Sequence, residues 1–247
     1  MILIPKIFHY VWLGREPMPT VMLEWRQRWS ALHPGWEIKT WSEVEGLPSH
    51  LLASGDELVE CRHPRYLAAC PTYAKRSDVW RYDILEQQGG VYLDTDMEPV
   101  KCIEPLLDDT ESFAGLCLTS YHWREGASAA VSVEVGCSAM GATAHHPWLR
   151  ELVALTPGQD PQAQISLAFP FLTEVTGRHP EVRLLPPETF YPQSWDRYAR
   201  GEYVPSESQA SRGEAIPEGT HAIHRWSSTW FAEGLRPRDT QPRRESR

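Results

Sequence analysis

Two aspartates, Asp94 and Asp96, lie one residue apart directly after the apolar run Val91–Leu93. In an extended segment the side chains at positions i and i+2 point to the same side, so the two carboxylates are predicted to face one hard cation. Carboxylate oxygens suit Mg²⁺ or Mn²⁺, which keep several waters and bind substrate phosphates. Ligands of open α/β sheets bind at the carboxyl ends of strands. The pair therefore predicts a metal site that holds the diphosphate of an activated donor.

A helix predicted over Tyr73–Gln88 leads into this run through Gly89-Gly90, where the chain can reverse. Asp78 and Arg81 lie three residues apart on one stripe of the helix and can touch each other. One interpretation is a structural ion pair on the helix surface. The other is a pair that faces a cleft, where Asp78 accepts hydrogen bonds from sugar hydroxyls and Arg81 donates to them. The short sequence distance to the two aspartates favours the second interpretation.

A third polar cluster, His221–Trp230, includes a short predicted strand at His221–Arg225. His224 can complete the metal shell through an imidazole nitrogen, although many single histidines are surface or core residues with no ligand. The nearby Ser227, Ser228 and Trp230 favour a role at the site.

The composition of the chain limits the classes of protein to which it can belong. The chain has 247 residues and a formal net charge of −9, which argues against a nucleic-acid partner because phosphate binding needs a basic surface. No apolar run reaches the roughly 18 residues of a membrane span. The five cysteines form no Cys-x-x-Cys pair, which favours a reduced, cytoplasmic protein. We expect one domain over residues 1–234 and a disordered tail over residues 235–247.

The chain opens with a predicted β-α-β unit, which favours a parallel strand pair. Its parts are a strand at Lys6–Leu13, a helix capped by Thr20 and running to about Leu32, and a strand at Glu37–Trp41. Residues 42–72 carry only weak helical signals. Further strands are predicted at Val91–Asp94, Phe113–Leu118, Val131–Val135, Val182–Leu185 and His221–Arg225, further helices at Pro147–Leu155 and Gln162–Val175, and loops at Pro186-Pro187 and Gly201–Gly219.

Three blocks of the chain together resemble glycosyltransferase family 32, the group with the "DXD sugar-binding" region. The blocks are Ile4–Gly14, Ser77–Asp96 and His224–Trp230, and they span most of the sequence. The group includes capsular-polysaccharide transferases and the initiating α-1,6-mannosyltransferase, and the large clostridial glucosylating toxins show a related pattern. The resemblance implies an α/β, Rossmann-like GT-A fold with a central, mostly parallel sheet and helical additions.

The resemblance also implies a metal-dependent, retaining glycosyltransferase that uses Mn²⁺ or Mg²⁺. The donor is a UDP- or GDP-linked sugar, and the acceptor is a hydroxyl of a glycan, a lipid, a small molecule or a protein. Asp78 and Arg81 match positions that grip the donor sugar and, with Asp96, are the implied catalytic residues. Asp94, Asp96 and His224 are the implied metal ligands. The implied donor-binding residues are Val11, Trp12, which stacks on the base, Ser77, Asp78, Arg81, Tyr92, Asp94, Ser228 and Trp230.

The chain departs from the family pattern at two places. Cys137 stands where an Asn is frequent ahead of His146-Pro147, and Phe169-Pro170 stands where Gly-Pro is frequent. Both places fall in the region expected to face the acceptor, so the identity of the acceptor stays open.

Two other classes of protein fit part of the pattern. A haloacid-dehalogenase-type phosphatase also has Asp-x-Asp after a strand, but it needs Thr or Val at the position of Glu98. A non-catalytic sugar or nucleotide binder would keep the aromatic residues and would not need the two carboxylates.

Overall fold

The computed structural model of the chain describes residues 1–120, 131–163, 167–193 and 215–227. Ten strands occur in these ranges: Ile7–Val11 (β1), Glu37–Trp41 (β2), Leu51–Ser54 (β3), Glu57–Glu60 (β4), Gly90–Leu93 (β5), Met97–Pro99 (β6), Ser112–Ser120 (β7), Val131–Ala142 (β8), Arg183–Leu185 (β9) and Ala222–His224 (β10). The helices of the same ranges are Thr20–Leu32 (α1), Pro64–Ala69 (α2), Tyr73–Gln88 (α3), Pro147–Leu155 (α4), Phe169–Thr176 (α5) and Pro187–Phe190 (α6).

A six-stranded sheet in the order β2-β1-β5-β8-β7-β9 forms the centre of the fold. The pairs β1–β2, β1–β5 and β7–β9 are parallel, and β8 runs antiparallel to both of its neighbours. The sheet is therefore mostly parallel, as predicted. Because β2, β1 and β5 run in the same direction side by side, the segments that follow them meet at one edge of the sheet.

Both faces of the sheet are covered, which explains why β5 is buried along its whole length. Tyr92 belongs to the apolar cluster that contains α3, α4 and α5. Its neighbours Val91 and Leu93 belong to the opposite cluster, which contains Trp29 of α1. This alternation is the two-residue period of a strand, and it directs the Tyr92 side chain toward α3.

Several predicted boundaries need correction near the start of the chain. Thr20 does not cap α1, since the cap position is Pro19, whose carbonyl accepts hydrogen bonds from the first turn. Within residues 42–72, the prediction of weak helical structure is only partly right. That segment forms the β3–β4 hairpin before the short helix α2, and the hairpin turns at Gly55-Asp56, where Gly55 has a φ of 60°.

Other differences lie in the second half of the chain. Strand β8 extends seven residues beyond the predicted end at Val135, to Ala142. Helix α5 begins at Phe169 rather than at Gln162, because Pro170 is tolerated in a first helical turn and not in a helix interior. Pro187 begins the short helix α6 instead of a loop. Most of the predicted 201–219 loop and the whole 235–247 tail lie outside the described residues.

A buried histidine ties the first strand to the turn before β5. His9 Nε2 lies 2.8 Å from the carbonyl oxygen of Gly89, and His9 Nδ1 lies 3.0 Å from the indole nitrogen of Trp41. The carbonyl can only accept and the indole can only donate, so the proton of His9 is on Nε2. Burial lowers the pKa of His9 to about 3, which keeps the ring neutral.

The glycine pair at the same turn is required by sterics. Gly90 has a φ of 91°, and a Cβ there would lie 2.8 Å from the Ile7 carbonyl oxygen and 2.8 Å from His9 Nε2. A Cβ on Gly89 would lie 2.6 Å from the backbone nitrogen of Ala144. The Gly-Gly pair thus allows α3 and β5 to pack against β1 and β8.

Among the helices of the described ranges, none is both long and apolar enough to span a membrane.

Replacing Gly90 with Ala is expected to destabilise the protein far more than the same change at Gly46. Gly46 also has a positive φ, 87°, but a Cβ at that position would have no atom of the described residues within 4 Å. Gly46→Ala should therefore lower the free energy of unfolding by about 1–2 kcal/mol, from backbone strain alone. Gly90→Ala adds a steric conflict and should cost about 3–5 kcal/mol. Urea unfolding of both variants measures the difference, and equal losses would contradict this account.

Acid is expected to destabilise the fold through His9. The pKa of His9 is about 3 in the folded protein against an ordinary 6.5, so below pH 6.5 the unfolded chain binds a proton that the folded chain does not. The stability from this residue is complete above pH 6.5 and falls by about 1.4 kcal/mol per pH unit as the pH drops toward 3. The variant His9→Gln keeps a donor and an acceptor but does not titrate. Its unfolding free energy should fall less steeply between about pH 6 and about pH 4, and an unchanged slope would refute the assignment.

Candidate metal and donor site

The chain turns where β5 ends instead of continuing as a strand. The backbone N–H of Asp94 donates to the Ser138 carbonyl at 2.9 Å, and the N–H of Met97 donates back to the Asp94 carbonyl at 3.1 Å. Residues Asp94–Met97 thus form a β-turn, referred to below as the DXD turn. The prediction that Asp94 and Asp96 share one side of an extended segment is therefore wrong, and it is the turn that brings their carboxylates together.

Three side chains meet at this turn. His224 Nε2 lies 3.2 Å from Asp96 Oδ1 and 3.7 Å from Asp94 Oδ2. One ligand atom from each residue lies within 4.8 Å of the others, and no other such group of acidic, His or Cys side chains occurs in the part of the chain that the structure describes. Asp96 and His224 are buried and Asp94 is half-buried. Two carboxylates and one imidazole form a donor set that can hold a divalent cation.

The electrostatics of these three side chains also favour the binding of a cation. Burial alone would lower the pKa of His224, but the adjacent Asp96 carboxylate outweighs it and raises that pKa. Burial would likewise raise the pKa of Asp96, but the charge of His224 and the hydrogen bonds from Ser227 lower it. The carboxylates therefore favour a proton on His224 Nε2, the nitrogen that faces both acids. His224 Nδ1 is buried and has no hydrogen-bond partner among the described residues, so it is the nitrogen left for the proton when a metal binds Nε2.

A small two-stranded sheet places His224 opposite the turn. His224 of β10 pairs with Met97 of β6, and the Arg225 N–H donates to the Asp96 carbonyl at 3.1 Å. The Arg225 guanidinium bonds to the Glu98 carboxylate, with Nε at 2.6 Å from Oε2. Backbone pairing and this buried ion pair thus fix His224, which lies near the end of the described chain, beside the end of β5.

Ser227 holds the Asp96 carboxylate in place, a contact that the sequence did not predict. Its backbone N–H and its hydroxyl both donate to Asp96 Oδ2, at 2.8 and 2.9 Å. The other oxygen, Oδ1, is the one that faces His224. The predicted donor-binding residues Ser228 and Trp230 follow shortly after Ser227 and lie outside the described residues.

Arg81 connects the helix residue Asp78 to the turn. Its Nη2 lies 2.5 Å from Asp78 Oδ1, and its Nη1 lies 2.6 Å from the Cys137 carbonyl and 3.4 Å from Asp94 Oδ1. The guanidinium carbon lies 4.7 Å from the centroid of the Tyr92 ring, and the Tyr92 hydroxyl donates to Asp94 Oδ1 at 2.8 Å. The Asp78–Arg81 pair is therefore a buried ion pair that also reaches the DXD turn, and it does not lie on the helix surface.

Asp78 lies between two cations on α3. Burial raises the pKa of Asp78, while the charges of Arg81 and Lys75 oppose that shift. Lys75 lies one helical turn before Asp78 and is buried, and burial lowers its pKa. Arg81 pairs with Oδ1 of Asp78, so Oδ2 can accept a hydrogen bond from a ligand hydroxyl. Ser77, also predicted to bind the donor, is half-buried on the same turn of the helix.

A bulge in β8 lies against the site, where its backbone carbonyls bond to Arg81 and Asp94. Ala114 of β7 pairs with Met140, but the next residue, Gly115, pairs with Gly136. Three residues of β8, Cys137–Ala139, are therefore unpaired with β7. Bulges bend a strand and redirect its side chains and backbone groups, often beside functional sites. The sequence predicted only the first five residues of β8 and gave no signal for the bulge.

The bulge residue Ser138 contacts most parts of the site. Its carbonyl accepts the Asp94 N–H, its N–H donates to the Tyr191 hydroxyl at 3.0 Å, and its own hydroxyl lies 3.3 Å from His224 Nε2. Tyr191 packs over Gly136, where a Cβ would come within 2.5 Å of the tyrosine ring. Ser138 and Tyr191 are thus site residues that the sequence did not reveal.

The end of β1 holds the two residues predicted to bind the base. Val11 is the last residue of the strand and is buried, so its side chain offers little surface. Trp12 is partly exposed, and its indole N–H donates to the Glu16 carbonyl at 2.8 Å. The Trp12 backbone N–H donates to the carbonyl of Trp41 at the end of β2. Trp12 is therefore held at the same sheet edge as the DXD turn.

Comparison with known proteins agrees with this geometry. Residues 19–113, which include Asp78, Arg81 and both aspartates of the turn, match the family model of the glycosyltransferase sugar-binding region containing a DXD motif.

Curated relatives include fungal mannosyltransferases. Inositol phosphoceramide mannosyltransferase 3 of Schizosaccharomyces pombe is 27% identical over 173 residues, which cover 69% of this chain and 41% of that protein. Mannosyl phosphorylinositol ceramide synthase SUR1 of Saccharomyces cerevisiae is 32% identical over 108 residues, 42% of this chain and 26% of that protein. The chain thus spans less than half the length of either relative.

A solved structure supports the fold. The glycosyltransferase PaToxG superposes with a TM-score of 0.50 at 17% identity, over 72% of this chain and 70% of that chain. The predicted resemblance and the predicted α/β architecture are both confirmed. Residues 19–113 therefore resemble a DXD-containing glycosyltransferase sugar-binding region, and the chain has the GT-A fold.

Proposed function

We propose that this protein is a metal-dependent, retaining glycosyltransferase that moves a sugar from a nucleoside-diphosphate sugar to a hydroxyl acceptor. One observation supports the proposal above the others: Asp94, Asp96 and His224 offer three ligand atoms within 4.8 Å of one another. They do so at the carboxyl end of a central strand, where ligands of open α/β sheets bind.

The three residues would hold Mn²⁺ or Mg²⁺. When bound, such an ion neutralises the charge that develops on a leaving diphosphate. The protein's contribution is to fix the ligands beforehand. Ser227 occupies Asp96 Oδ2 and leaves Oδ1 directed at the site, and the β6–β10 pairing holds His224 opposite. A site with its ligands already oriented loses little entropy when it binds its ion and substrate.

Asp78 and Arg81 would orient the donor sugar. Arg81 is fixed by the Asp78 carboxylate and by the Cys137 carbonyl, so its position does not depend on the ligand. Asp78 keeps one oxygen for a sugar hydroxyl. Trp12 would stack on the base at the end of β1, and Tyr92 would act by holding Asp94. The donor-binding role of Ser228 and Trp230 remains a prediction from the resemblance.

Retention of the anomeric configuration is proposed because the acids of the site are already engaged. Asp78 and Asp94 are paired with Arg81, and Asp96 is bonded to Ser227 and His224. None of these three is poised as a nucleophile. A same-face route, in which the departing phosphate takes the acceptor proton, needs no protein nucleophile.

The acceptor is proposed from the relatives. Both fungal proteins are named for a mannosyl transfer that involves a phosphoinositol-linked ceramide. A hydroxyl on a lipid-linked head group is therefore the first acceptor to test, ahead of a glycan, a small molecule or a protein side chain.

The phosphatase alternative finds no support at Glu98. That residue is bonded to Arg225 and lies 3.3 Å from Arg28, so it stabilises the small sheet beside the site. A non-catalytic nucleotide or sugar binder is the second candidate, and the first experiment below separates it from an enzyme.

A panel of UDP- and GDP-sugars incubated with the protein and Mn²⁺ tests the proposal. We expect slow release of free nucleoside diphosphate from one donor, since water can replace an absent acceptor. Chelation with EDTA should stop the release, because the metal ligands then lack their ion. Nucleotide binding that is independent of metal, with no donor hydrolysis, would support the binder instead.

The variant Asp96→Asn should lose most of its Mn²⁺ affinity while it keeps its fold. Removal of an outer-shell partner typically costs about 10–100-fold in metal affinity, so loss of a ligand charge is expected to cost more than about 100-fold. Asp56→Asn, at the exposed β3–β4 turn, is the matched control. Calorimetric titration with Mn²⁺ measures both, and normal Mn²⁺ binding by Asp96→Asn would remove the metal role.

A further inference from the structure

The segments that follow three adjacent strands lie in a line along one edge of the sheet. The DXD turn follows β5, Trp12–Gly14 follows β1, and Glu43 lies two residues after β2. Neighbouring strands are about 4.8 Å apart, so the end of β2 lies about 10 Å from the end of β5. A nucleotide whose diphosphate binds at the end of β5 can therefore lay its base over the ends of β1 and β2.

Glu43 is the carboxylate at the far end of this line. Its Oε2 accepts the Gly14 N–H at 3.4 Å, and its Oε1 lies 3.9 Å from Nη1 of Arg76. The Glu43 side chain is 37% exposed and that of Arg76 is 32% exposed. Arg76 Nε also donates to the Cys70 carbonyl at 3.3 Å. The remaining guanidinium N–H groups and the carboxylate oxygens keep hydrogen-bonding capacity for a ligand.

One aromatic side chain, that of Tyr73, lies beside this pair, and a second, that of Trp12, follows the neighbouring strand β1. Gly14 has a φ of 90° and lies against Tyr73, whose Cε2 would be 2.9 Å from a Cβ at that position. The Arg76 guanidinium lies 5.8 Å from the centroid of the Tyr73 ring. Trp12, two residues before Gly14, is partly exposed. Flat rings beside a carboxylate and a guanidinium are the components of a purine or pyrimidine site.

The Glu43 carboxylate and the Arg76 guanidinium favour some nucleobases over others. Guanine presents two adjacent donors, N1–H and N2–H, which match the two oxygens of a carboxylate, and its O6 and N7 match an arginine. Uracil presents one N–H between two carbonyl oxygens, and those oxygens would repel a carboxylate. Adenine and cytosine each present a single amino group next to an unprotonated ring nitrogen.

We infer that Glu43, assisted by Arg76, selects guanine, so that the donor is a guanosine-diphosphate sugar. This inference rests on the proposed function and names the nucleotide that the same site takes.

The test titrates GDP and UDP into the Mn²⁺-loaded protein by calorimetry. The wild-type protein is expected to bind GDP at least about tenfold more tightly than UDP. Glu43→Gln keeps the size of the side chain but replaces one acceptor oxygen with a donor. It should lower the affinity for GDP by about tenfold and leave that for UDP nearly unchanged. Glu45→Gln, the same charge change two residues later in the exposed loop, should alter neither.

Each other outcome has a definite meaning. Equal or tighter binding of UDP by the wild-type protein, or a Glu43→Gln variant that loses both nucleotides equally, would overturn the selection of guanine and leave the proposed function intact. Wild-type protein that binds neither nucleotide would overturn the proposed function and this inference together. Should circular dichroism show that Glu43→Gln is misfolded, Arg76→Gln replaces it and is expected to weaken GDP selectively.

Discussion

Two carboxylates at the end of one strand repel each other unless positive charge lies between or beside them. In this protein the charge is supplied from two sides. Arg81 reaches Asp94 from helix α3, and His224 reaches Asp96 from strand β10. His224 presents its Nε2 to both acids, so a proton and a divalent cation would occupy the same position. Helix α3 and the distant strand β10 both contact the turn because each places a basic side chain beside one of its two carboxylates.

The scaffold that holds these groups is built from local departures from regular structure. A turn, rather than a strand, brings the two aspartates together, and a three-residue bulge in β8 supplies the backbone groups that hold Arg81 and Asp94. The bulge also places Ser138 against His224 and Tyr191. Glycines at positions 90 and 136 permit the close approaches on which this arrangement depends. Such features persist because the packed sheet around them determines their conformation.

The sequence predicted the elements whose signals are local. Helix Tyr73–Gln88 has its predicted bounds because Thr72, whose hydroxyl accepts the Lys75 N–H, caps its start and a Gly-Gly pair follows its end. Gly55 also carries a local signal, but a glycine that interrupts a helix and one that turns a hairpin look alike in sequence. The two aspartates and the histidine of the proposed metal site could be identified from residue type and resemblance. The contacts of Ser138 and Ser227 could not, because they arise from a bulge and from a tertiary contact across 131 residues.

The central claim is that Asp94, Asp96 and His224 bind a divalent ion that is bridged to a nucleoside diphosphate. The most direct measurement is an anomalous difference map at the manganese edge, from crystals grown with Mn²⁺ and a nucleoside diphosphate. This account predicts one strong peak in contact with all three side chains and with phosphate oxygens. A diphosphate bound without a peak there, or a peak that contacts none of the three residues, would contradict it.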